Sequence, residues 1–222
     1  MNKSGFKIDF LQALDVSFFR RKPEIVAKEL LGKIIVKKDR DIWLAAKIVE
    51  VEAYLSKGDL SCHAATGKTL RNAPMFEPGG VLYVYKIYGV HHCINFVTED
   101  EGKGSAVLIR ACEPLLGIDK MKQNRNVQIT KTKKVETKNT NTIIKLPELC
   151  KGPGNLAKAF GFTRKDNYRN LKSPDFFIQK NDFPKNADIS VSKRIGITKS
   201  ADLMLRYFFE DSLYVSGKNN NK

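Results

Sequence analysis

Two carboxylates and a phenol recur at every second position of one stretch, as Glu50, Glu52 and Tyr54. The residues between them are apolar, and this alternation predicts a β-strand with two different faces. Neighbours on one face of a strand lie about 7 Å apart, so the three polar groups share a surface. A carboxylate there can act as a general base, but a half-exposed surface strand has the same pattern.

A second stretch of interest runs from Tyr83 to Phe96 and holds three tyrosines and two histidines. It has a strand-turn-strand pattern, with Gly89 at the turn. Tyrosine rings can form a stacking platform for nucleobases. His91 and His92 are adjacent and point to opposite faces of a strand, which makes them a poor metal site.

The elements that position these groups can be read from the flanking sequence. Pro23–Gly32 predicts a short helix, with proline at its first position and glycine at its end. Lys33–Lys38 and Ile42–Tyr54 predict a hairpin that carries Glu52 near the end of its second strand. The following residues, 55–80, form a long irregular stretch that contains His63, and connections of that length usually carry function.

The second half of the chain predicts further strands and two helices. Arg110 lies inside the apolar strand Ser105–Glu113 and needs a partner. A polar Lys/Thr/Asn-rich insertion at 123–141 has little to bury and is expected to be a mobile surface loop; a DNA-clamping role is the alternative. The remaining expectations are helices over Leu115–Gln123 and from Lys151 to near Gly161, strands over Asp175–Gln179, Ile189–Ile197 and Leu203–Phe209, and a frayed tail at 217–222.

Composition favours one globular domain over residues 1–222 that binds a polyanion. The chain has 39 Lys and Arg against 24 Asp and Glu, a net charge of +15. Such an excess favours a polyanionic partner, even after the +6 of the segment Lys122–Lys145 is set aside. The apolar runs are too short to span a bilayer or to form a signal peptide, so we expect a soluble intracellular protein.

Several common kinds of site lack their sequence signatures. The four cysteines include no C-x-x-C pair, so reduced and mostly buried thiols are expected rather than a zinc or iron–sulfur site. Thr66–Thr69 ends like a phosphate-binding loop, but Cys62 stands where that motif requires glycine. No Gly-x-Ser-x-Gly elbow of a serine hydrolase is present.

The motifs taken together resemble the alkyladenine DNA glycosylase family, also called the 3-methyladenine or methylpurine DNA glycosylases. The resemblance covers most of Pro23–Ser216 in order, with the insertion at 123–141 as a departure. It is carried by His63, Asn95 and the stretches Ile48–Tyr54, Arg71–Phe76, Leu82–Val90, Leu108–Pro114, Leu149–Pro153 and Arg194–Ile197.

The resemblance implies a mixed α+β domain with a curved antiparallel sheet, flanking helices and a protruding β-hairpin that inserts into DNA. It implies a monofunctional DNA glycosylase that starts base excision repair. The enzyme would flip out alkylated purines such as 3-methyladenine and 7-methylguanine and hydrolyse the N-glycosidic bond. It implies no cofactor or metal, a monomer without an obligatory protein partner, no membrane, and damaged double-stranded chromosomal DNA as substrate.

The resemblance also implies a role for seven residues. Glu52 is the general base that activates water, and Arg110 helps to position that water or the adjoining phosphate. Asn95 helps to exclude normal guanine. Tyr54, His63 and Tyr85 form the pocket that encloses the flipped base. Tyr88 is the DNA-intercalating residue, which fills the gap that the base leaves in the duplex.

These roles agree with the physics of base excision. A base inside a duplex must be extruded before its sugar carbon can be attacked, at a cost of a few kcal/mol, and an aromatic wedge slows its return. A purine methylated on a ring nitrogen leaves as a neutral molecule, so one carboxylate suffices and no general acid is needed. Glu50 lies on the same face as Glu52, but the family motif assigns the base to Glu52 and leaves Glu50 structural.

Two other functions remain open from the residues alone. A non-catalytic module could bind structured RNA with the same tyrosines, although a carboxylate beside a bound backbone weakens phosphate binding. A glycosylase with lyase activity could use one of the many lysine amines as nucleophile. Excision of hypoxanthine is also undecided, because that base needs protonation to leave.

Overall fold

The computed structural model describes residues 6–87, 89–129, 142–181 and 188–217, and nine of its strands form one strongly curled antiparallel sheet. The sheet order is β3-β4-β5-β2-β1-β9-β8, and β11 pairs with both β2 and β10. The strands are β1 (Ile34–Asp39), β2 (Ile42–Tyr54), β3 (Leu82–Ile87), β4 (His91–Thr98), β5 (Ser105–Leu116), β6 (Val127–Ile129), β7 (Thr142–Ile144), β8 (Lys172–Ser173), β9 (Phe176–Gln179), β10 (Ile189–Ser192) and β11 (Arg206–Phe209). The described α-helices are α1 (Pro23–Leu30), α2 (Ile118–Arg125) and α3 (Pro153–Ala159).

The longest strand, β2, lies in the middle of the sheet and has three partners. Its residues 42–47 pair with β1, its residues 50–52 pair with β11, and β5 runs along its other edge. Every residue from Ile48 to Ala53 is buried, including Glu50 and Glu52. The alternative of a half-exposed surface strand is therefore wrong: both faces of this part of β2 are covered.

Two β-bulges interrupt the pairing of β2 with β5 beside the carboxylates. The partner of Ile48 is Cys112 and that of Glu50 is Ala111, so Val49 is an extra residue in β2. Val51 then pairs with Ile109, which makes Arg110 an extra residue in β5. Bulges of this kind bend a strand locally and are common next to active sites.

Helix α1 begins and ends as its sequence predicts. Pro23 occupies the first turn, where its missing N–H costs nothing, and Glu24 lies near the positive end of the helix dipole. Its buried residues, Pro23, Val26, Ala27 and Leu30, form one face that packs against β2 and β5. Burying a Val or Leu side chain stabilises the fold by about 1.5–3 kcal/mol, so packing holds this short helix.

Four sequence predictions need correction. The expected helix over Leu115–Gln123 starts only at Ile118, because β5 continues to Leu116 and Gly117 caps the helix in the left-handed conformation. The expected strand over Ile189–Ile197 ends at Ser192. The third expected strand, Leu203–Phe209, starts at Arg206. The irregular stretch 55–80 contains short 3-10 helices at His63–Thr66 and Ala73–Phe76.

The predicted insertion at 123–141 lies mainly outside the described residues. Its first residues complete α2 and form β6, which pairs in parallel with β7 on the far side of the insertion. Residues 130–141 and 218–222 are not described, so the expected mobile loop and the expected frayed tail remain predictions.

The four cysteines are unpaired and buried, as the sequence predicts. None of the α-helices among the described residues exceeds eight residues, and none could cross a membrane.

Candidate active site

Glu52 is fully buried on β2 and is held by three donors. The backbone N–H of Ile195 donates to its Oε1 over 2.7 Å, and Nη1 of Arg110 lies 3.1 Å from the same oxygen. The hydroxyl of Tyr54 donates to Oε2 over 3.0 Å. A buried carboxylate is costly unless it is paired and hydrogen-bonded, and these contacts meet that requirement.

Arg110 links Glu52 to the second carboxylate of β2. Its Nε donates to Oε1 of Glu50 over 3.0 Å, and its Nη2 donates to the hydroxyl of Ser216 over 3.3 Å. Burial alone would lower the pKa of Arg110, but the negative charges of Glu52 and Glu50 raise it above its ordinary value. The arginine in the apolar strand thus has the partners that the sequence required.

A cavity of about 370 Å³ lies beside this carboxylate, within the range of about 300–1,000 Å³ that is usual for small-molecule sites. Glu52 itself is fully buried and is not among the residues that line the cavity. All three groups that donate to Glu52 line it. The sequence-predicted residues Tyr54, His63, Tyr85, Asn95 and Arg110 therefore come together around one space. The complete lining is Tyr54, Ser61, His63, Arg71, Met75, Tyr83, Tyr85, Ile87, Cys93, Asn95, Leu108, Arg110, Pro153, Ile195, Gly196 and Ile197.

Aromatic rings make up much of the wall. The ring of His63 meets that of Tyr85 edge to face at 4.5 Å, and Nδ1 of His63 lies 2.9 Å from the hydroxyl of Tyr83. The rings of Tyr83 and Tyr85 lie 5.6 Å apart. Tyr54 is the last residue of β2, with the guanidinium of Arg194 4.5 Å from its ring centre. Such a wall suits a flat, unsaturated ring.

Burial changes the protonation of these groups. It lowers the pKa of His63, as does the nearby charge of Arg71, so the imidazole is neutral at neutral pH. Burial and the negative charge of Glu52 raise the pKa of Tyr54 well above 10, so its hydroxyl stays a donor. Burial also raises the pKa of Tyr83 to about 12 and raises that of Tyr85.

Asn95 lies on β4, buried, and is fixed from one side. Its side-chain Nδ2 donates to the backbone carbonyl of Tyr83 over 3.2 Å, across the pairing of β3 with β4. This bond restrains the amide of Asn95, which also lines the cavity and keeps polar atoms for a further hydrogen bond.

Tyr88, the seventh predicted residue, falls outside the described residues. Its neighbours form the turn of the β3–β4 hairpin: Gly89 has a φ of 70°, and the N–H of Val90 donates to the carbonyl of Ile87. The side chain of Val90 is 69% exposed, which is high for an apolar residue.

Sequence reasoning gave no role to several residues that line the cavity. Tyr83 alternates with Tyr85 on β3, and that period of two could have revealed it. The family-like stretch Arg194–Ile197 was noticed but given no role, although Ile195, Gly196 and Ile197 line the cavity. Arg71 also lines it, with its guanidinium 5.8 Å from the ring centre of Tyr85. Among the residues that the structure describes, no three His, Cys, Asp or Glu side chains cluster in a way that could hold a metal ion.

Comparison with known proteins identifies related chains. Residues 17–213 match the family model described as methylpurine-DNA glycosylase. A candidate 3-methyladenine DNA glycosylase of Chlorobium phaeobacteroides is 42% identical over 213 residues, 96% of this chain and 99% of that protein. Proteins of the same name from Koribacter versatilis and Legionella pneumophila are 41% and 40% identical, covering 94% and 93% of this chain and 95% and 99% of their own lengths.

Proposed function

The chain belongs to the methylpurine-DNA glycosylase family, and on that premise we propose that it removes alkylated purines, 3-methyladenine among them, from double-stranded DNA. This activity would start base excision repair. The observation that carries the proposal is the buried carboxylate of Glu52, whose three donors all line one aromatic cavity.

Glu52 is the general base in this proposal. A carboxylate has about four lone-pair positions, and Ile195, Arg110 and Tyr54 occupy three of them. The fourth, on Oε2, accepts a hydrogen bond from the attacking water. As the bond between the sugar C1′ and the base nitrogen breaks, its electron pair goes to the base. The water oxygen then bonds to C1′, and its proton passes to Glu52.

The leaving group needs no acid when it is a methylated purine. 3-Methyladenine and 7-methylguanine carry a positive charge in DNA, and the electron pair of the broken bond neutralises it. Tyr54 and Tyr85 stack on the flipped base, at about 1–3 kcal/mol for each stack. His63, neutral at neutral pH, reads an edge of the base without repelling its charge. Excision of hypoxanthine stays open, because no described group is assigned to protonate it.

Two further residues have roles in discrimination and extrusion. Asn95 acts against normal guanine, because its amide is held by the carbonyl of Tyr83 and cannot move aside for the exocyclic amino group. Tyr88 fills the gap left in the duplex. The glycine at 89 and the exposed side chain of Val90 support a hairpin tip that enters the minor groove.

We propose a hydrolytic, monofunctional mechanism. No lysine is among the described residues that line the cavity, so a Schiff base with the sugar has no evident nucleophile there. Borohydride treatment of the protein with lesion-bearing DNA should therefore trap no covalent complex. The enzyme needs no cofactor and acts as a monomer on chromosomal DNA inside the cell, where its charge of +15 favours binding to the backbone.

The experiment that tests the function is single-turnover release of 3-methyladenine and hypoxanthine from lesion-bearing duplexes. Wild type should release 3-methyladenine, and Glu52→Gln should lose about 10²–10⁴-fold or more of that rate with DNA binding retained. A folded, DNA-binding wild type that releases neither base would contradict the proposal. Rapid release of 3-methyladenine by Glu52→Gln would mean that another residue is the general base.

A further inference from the structure

Arg194 is a buried arginine whose side chain and following peptide N–H together contact three consecutive residues of β2. Its Nη1 donates to the carbonyl of Ala53 over 3.0 Å, and its guanidinium lies 4.5 Å from the ring centre of Tyr54. The next peptide N–H in the chain, that of Ile195, donates to Glu52 over 2.7 Å. The side chain of Arg194 and the peptide bond that follows it thus reach Glu52, Ala53 and Tyr54.

Asp59 holds Arg194 in this place. Nη1 and Nη2 donate to the two carboxylate oxygens over 2.6 and 2.7 Å, and both side chains are fully buried. The carboxylate also accepts the backbone N–H groups of Leu55 and Ser61, each over 3.1 Å. Asp59 lies in the segment between β2 and His63. It therefore connects this segment to the cavity wall at residues 195–197.

The hydrogen bonds of Arg194 suggest a purpose beyond stability. Its Nε is the one buried side-chain nitrogen or oxygen atom without a hydrogen-bond partner in the part of the chain that the structure describes. An unpaired buried N–H is unfavourable and calls for an explanation. The guanidinium lies over the ring of Tyr54, 4.5 Å from its centre, and we attribute the unpaired atom to that position.

We propose that the Arg194–Asp59 pair is a positioning pair for base excision: it fixes the ring of Tyr54 and aims the Ile195 N–H at Glu52. The inference rests on the proposed function, since it assigns a task to residues around Glu52, the proposed general base. Arg194 lies over one face of the Tyr54 ring, which leaves the other face for the flipped purine. Because Ile195 N is bonded directly to the Arg194 carbonyl carbon, a shift of the Arg194 backbone moves the donor that orients Oε1 of Glu52.

The test compares Arg194→Lys and Asp59→Asn with a matched control, Arg169→Lys. Lysine keeps the charge but loses the planar fork that stacks and pairs at two points. Arg169 also has two carboxylate partners, Asp166 at 3.1 Å and Asp175 at 2.8 Å, and lies 5.0 Å from a phenylalanine ring centre, but it does not line the cavity. Its side chain is 20% exposed, whereas that of Arg194 is fully buried, so Arg169→Lys reports what losing such a fork does when it lies away from the cavity.

The measurement is single-turnover release of 3-methyladenine over a range of enzyme concentrations, with the active fraction titrated and thermal unfolding recorded. Displacement of a catalytic group by about 1 Å can cost about 100-fold in rate. We therefore expect the rate constant at saturation to fall about 10- to 100-fold in Arg194→Lys and Asp59→Asn, with the half-saturating concentration within about twofold of wild type. Arg169→Lys should keep the wild-type rate constant at saturation and the wild-type half-saturating concentration.

Either of two results would overturn the inference while leaving the glycosylase function intact. One is a wild-type rate constant in both folded variants; the other is a loss confined to the half-saturating concentration. If Arg194→Lys does not fold, Asp59→Asn decides alone, together with the NMR shift of the Ile195 amide proton, which must move when its bond to Glu52 is disturbed. A wild type that releases no base contradicts the proposed function instead.

Discussion

Glu50 and Glu52 lie two residues apart on the same strand and are both fully buried, but they have different partners. Oε1 of Glu50 accepts from Arg110, Arg206 and the hydroxyl of Ser216, and Oε2 accepts the Ser216 N–H over 2.6 Å. Of these groups only Arg110 lines the cavity. The contacts of Glu50 fasten the end of the described chain to the sheet.

Every donor to Glu52, in contrast, belongs to the cavity wall. The same residue type, with the same burial on the same strand, thus contacts the end of the described chain in one case and the cavity wall in the other. Burial and spacing do not separate the two carboxylates, but the position of their partners relative to the cavity does. Arg110 contacts both and couples the fold to the site.

The largest effect should come from Glu50→Gln, as a loss of stability. Removing the charge leaves Arg110 and Arg206 with too little negative charge in a buried place, which typically costs about 3–5 kcal/mol. Urea unfolding followed by circular dichroism measures this change in the free energy of unfolding. Glu52→Gln should lose less stability, because Arg110 keeps Glu50.

Single-turnover kinetics complete this comparison. Folded Glu50→Gln should still release 3-methyladenine much faster than Glu52→Gln. If Glu50→Gln were as stable as wild type but inactive, the two carboxylates would have exchanged roles and the comparison would fail.

The next effect is expected for Tyr54→Phe, which removes the hydroxyl that donates to Oε2 of Glu52. A hydrogen bond to a charged group contributes about 1.5–3 kcal/mol, so we expect the release rate to fall about 10- to 100-fold. Because the pKa of Tyr54 is raised well above 10, the wild-type rate should show no decline from its ionisation between about pH 8 and 10. A faster variant would mean that the hydroxyl competes with the water for Oε2.

A smaller effect concerns the pH dependence of stability at His63, whose pKa is lowered in the folded protein. The unfolded chain then binds a proton more readily, so this residue makes the protein less stable as the pH falls from about 6.5 toward the folded pKa. Titration by NMR should give a midpoint below 6.5. We expect the free energy of unfolding to decrease less with falling pH in His63→Gln than in wild type. The same pH dependence in both proteins would contradict a lowered pKa of His63.

The smallest effect is expected at a carboxylate near the surface of the same pair of strands. Glu113 on β5 forms an ion pair with Lys47 on β2 at 2.6 Å, and their side chains are 30% and 21% exposed. Pairs with access to water contribute about 0–1 kcal/mol. Glu113→Gln should therefore change the free energy of unfolding by no more than about 1 kcal/mol and leave base release unchanged. A loss of stability as large as that of Glu50→Gln would show that the difference in burial does not explain the different contributions of Glu113 and Glu50.

Local patterns in the sequence predicted much of the fold. The helix at Pro23 and the hairpin that carries Glu52 follow from capping residues and alternation, and both are present. The strand expected to run to Ile197 ends early, because Arg194 is anchored on Asp59 and Gly196 has a φ of 74°. Those contacts span more than a hundred residues, and no local pattern contains them.

The candidate site was predictable only in part. Family motifs select residues that do converge on one cavity, but the donors to Glu52 include a backbone N–H, which every residue type except proline can supply. The task of Glu50 depended on Ser216, 166 residues away. Side-chain identity predicts which groups can react, and the long-range pairing of β2 with β5 and β11 determines which of them meet.

The two bulges at Val49 and Arg110 also constrain how these strands can change length. Each adds one residue, one in β2 and one in β5, and the pairing before and after them stays in step. Deleting either residue alone would shift one strand by a single position and turn the side chains beyond it to the opposite face. A deletion at one of these two positions therefore keeps the later pairing in step only when the other extra residue is lost as well, and that second residue is the arginine that contacts both carboxylates.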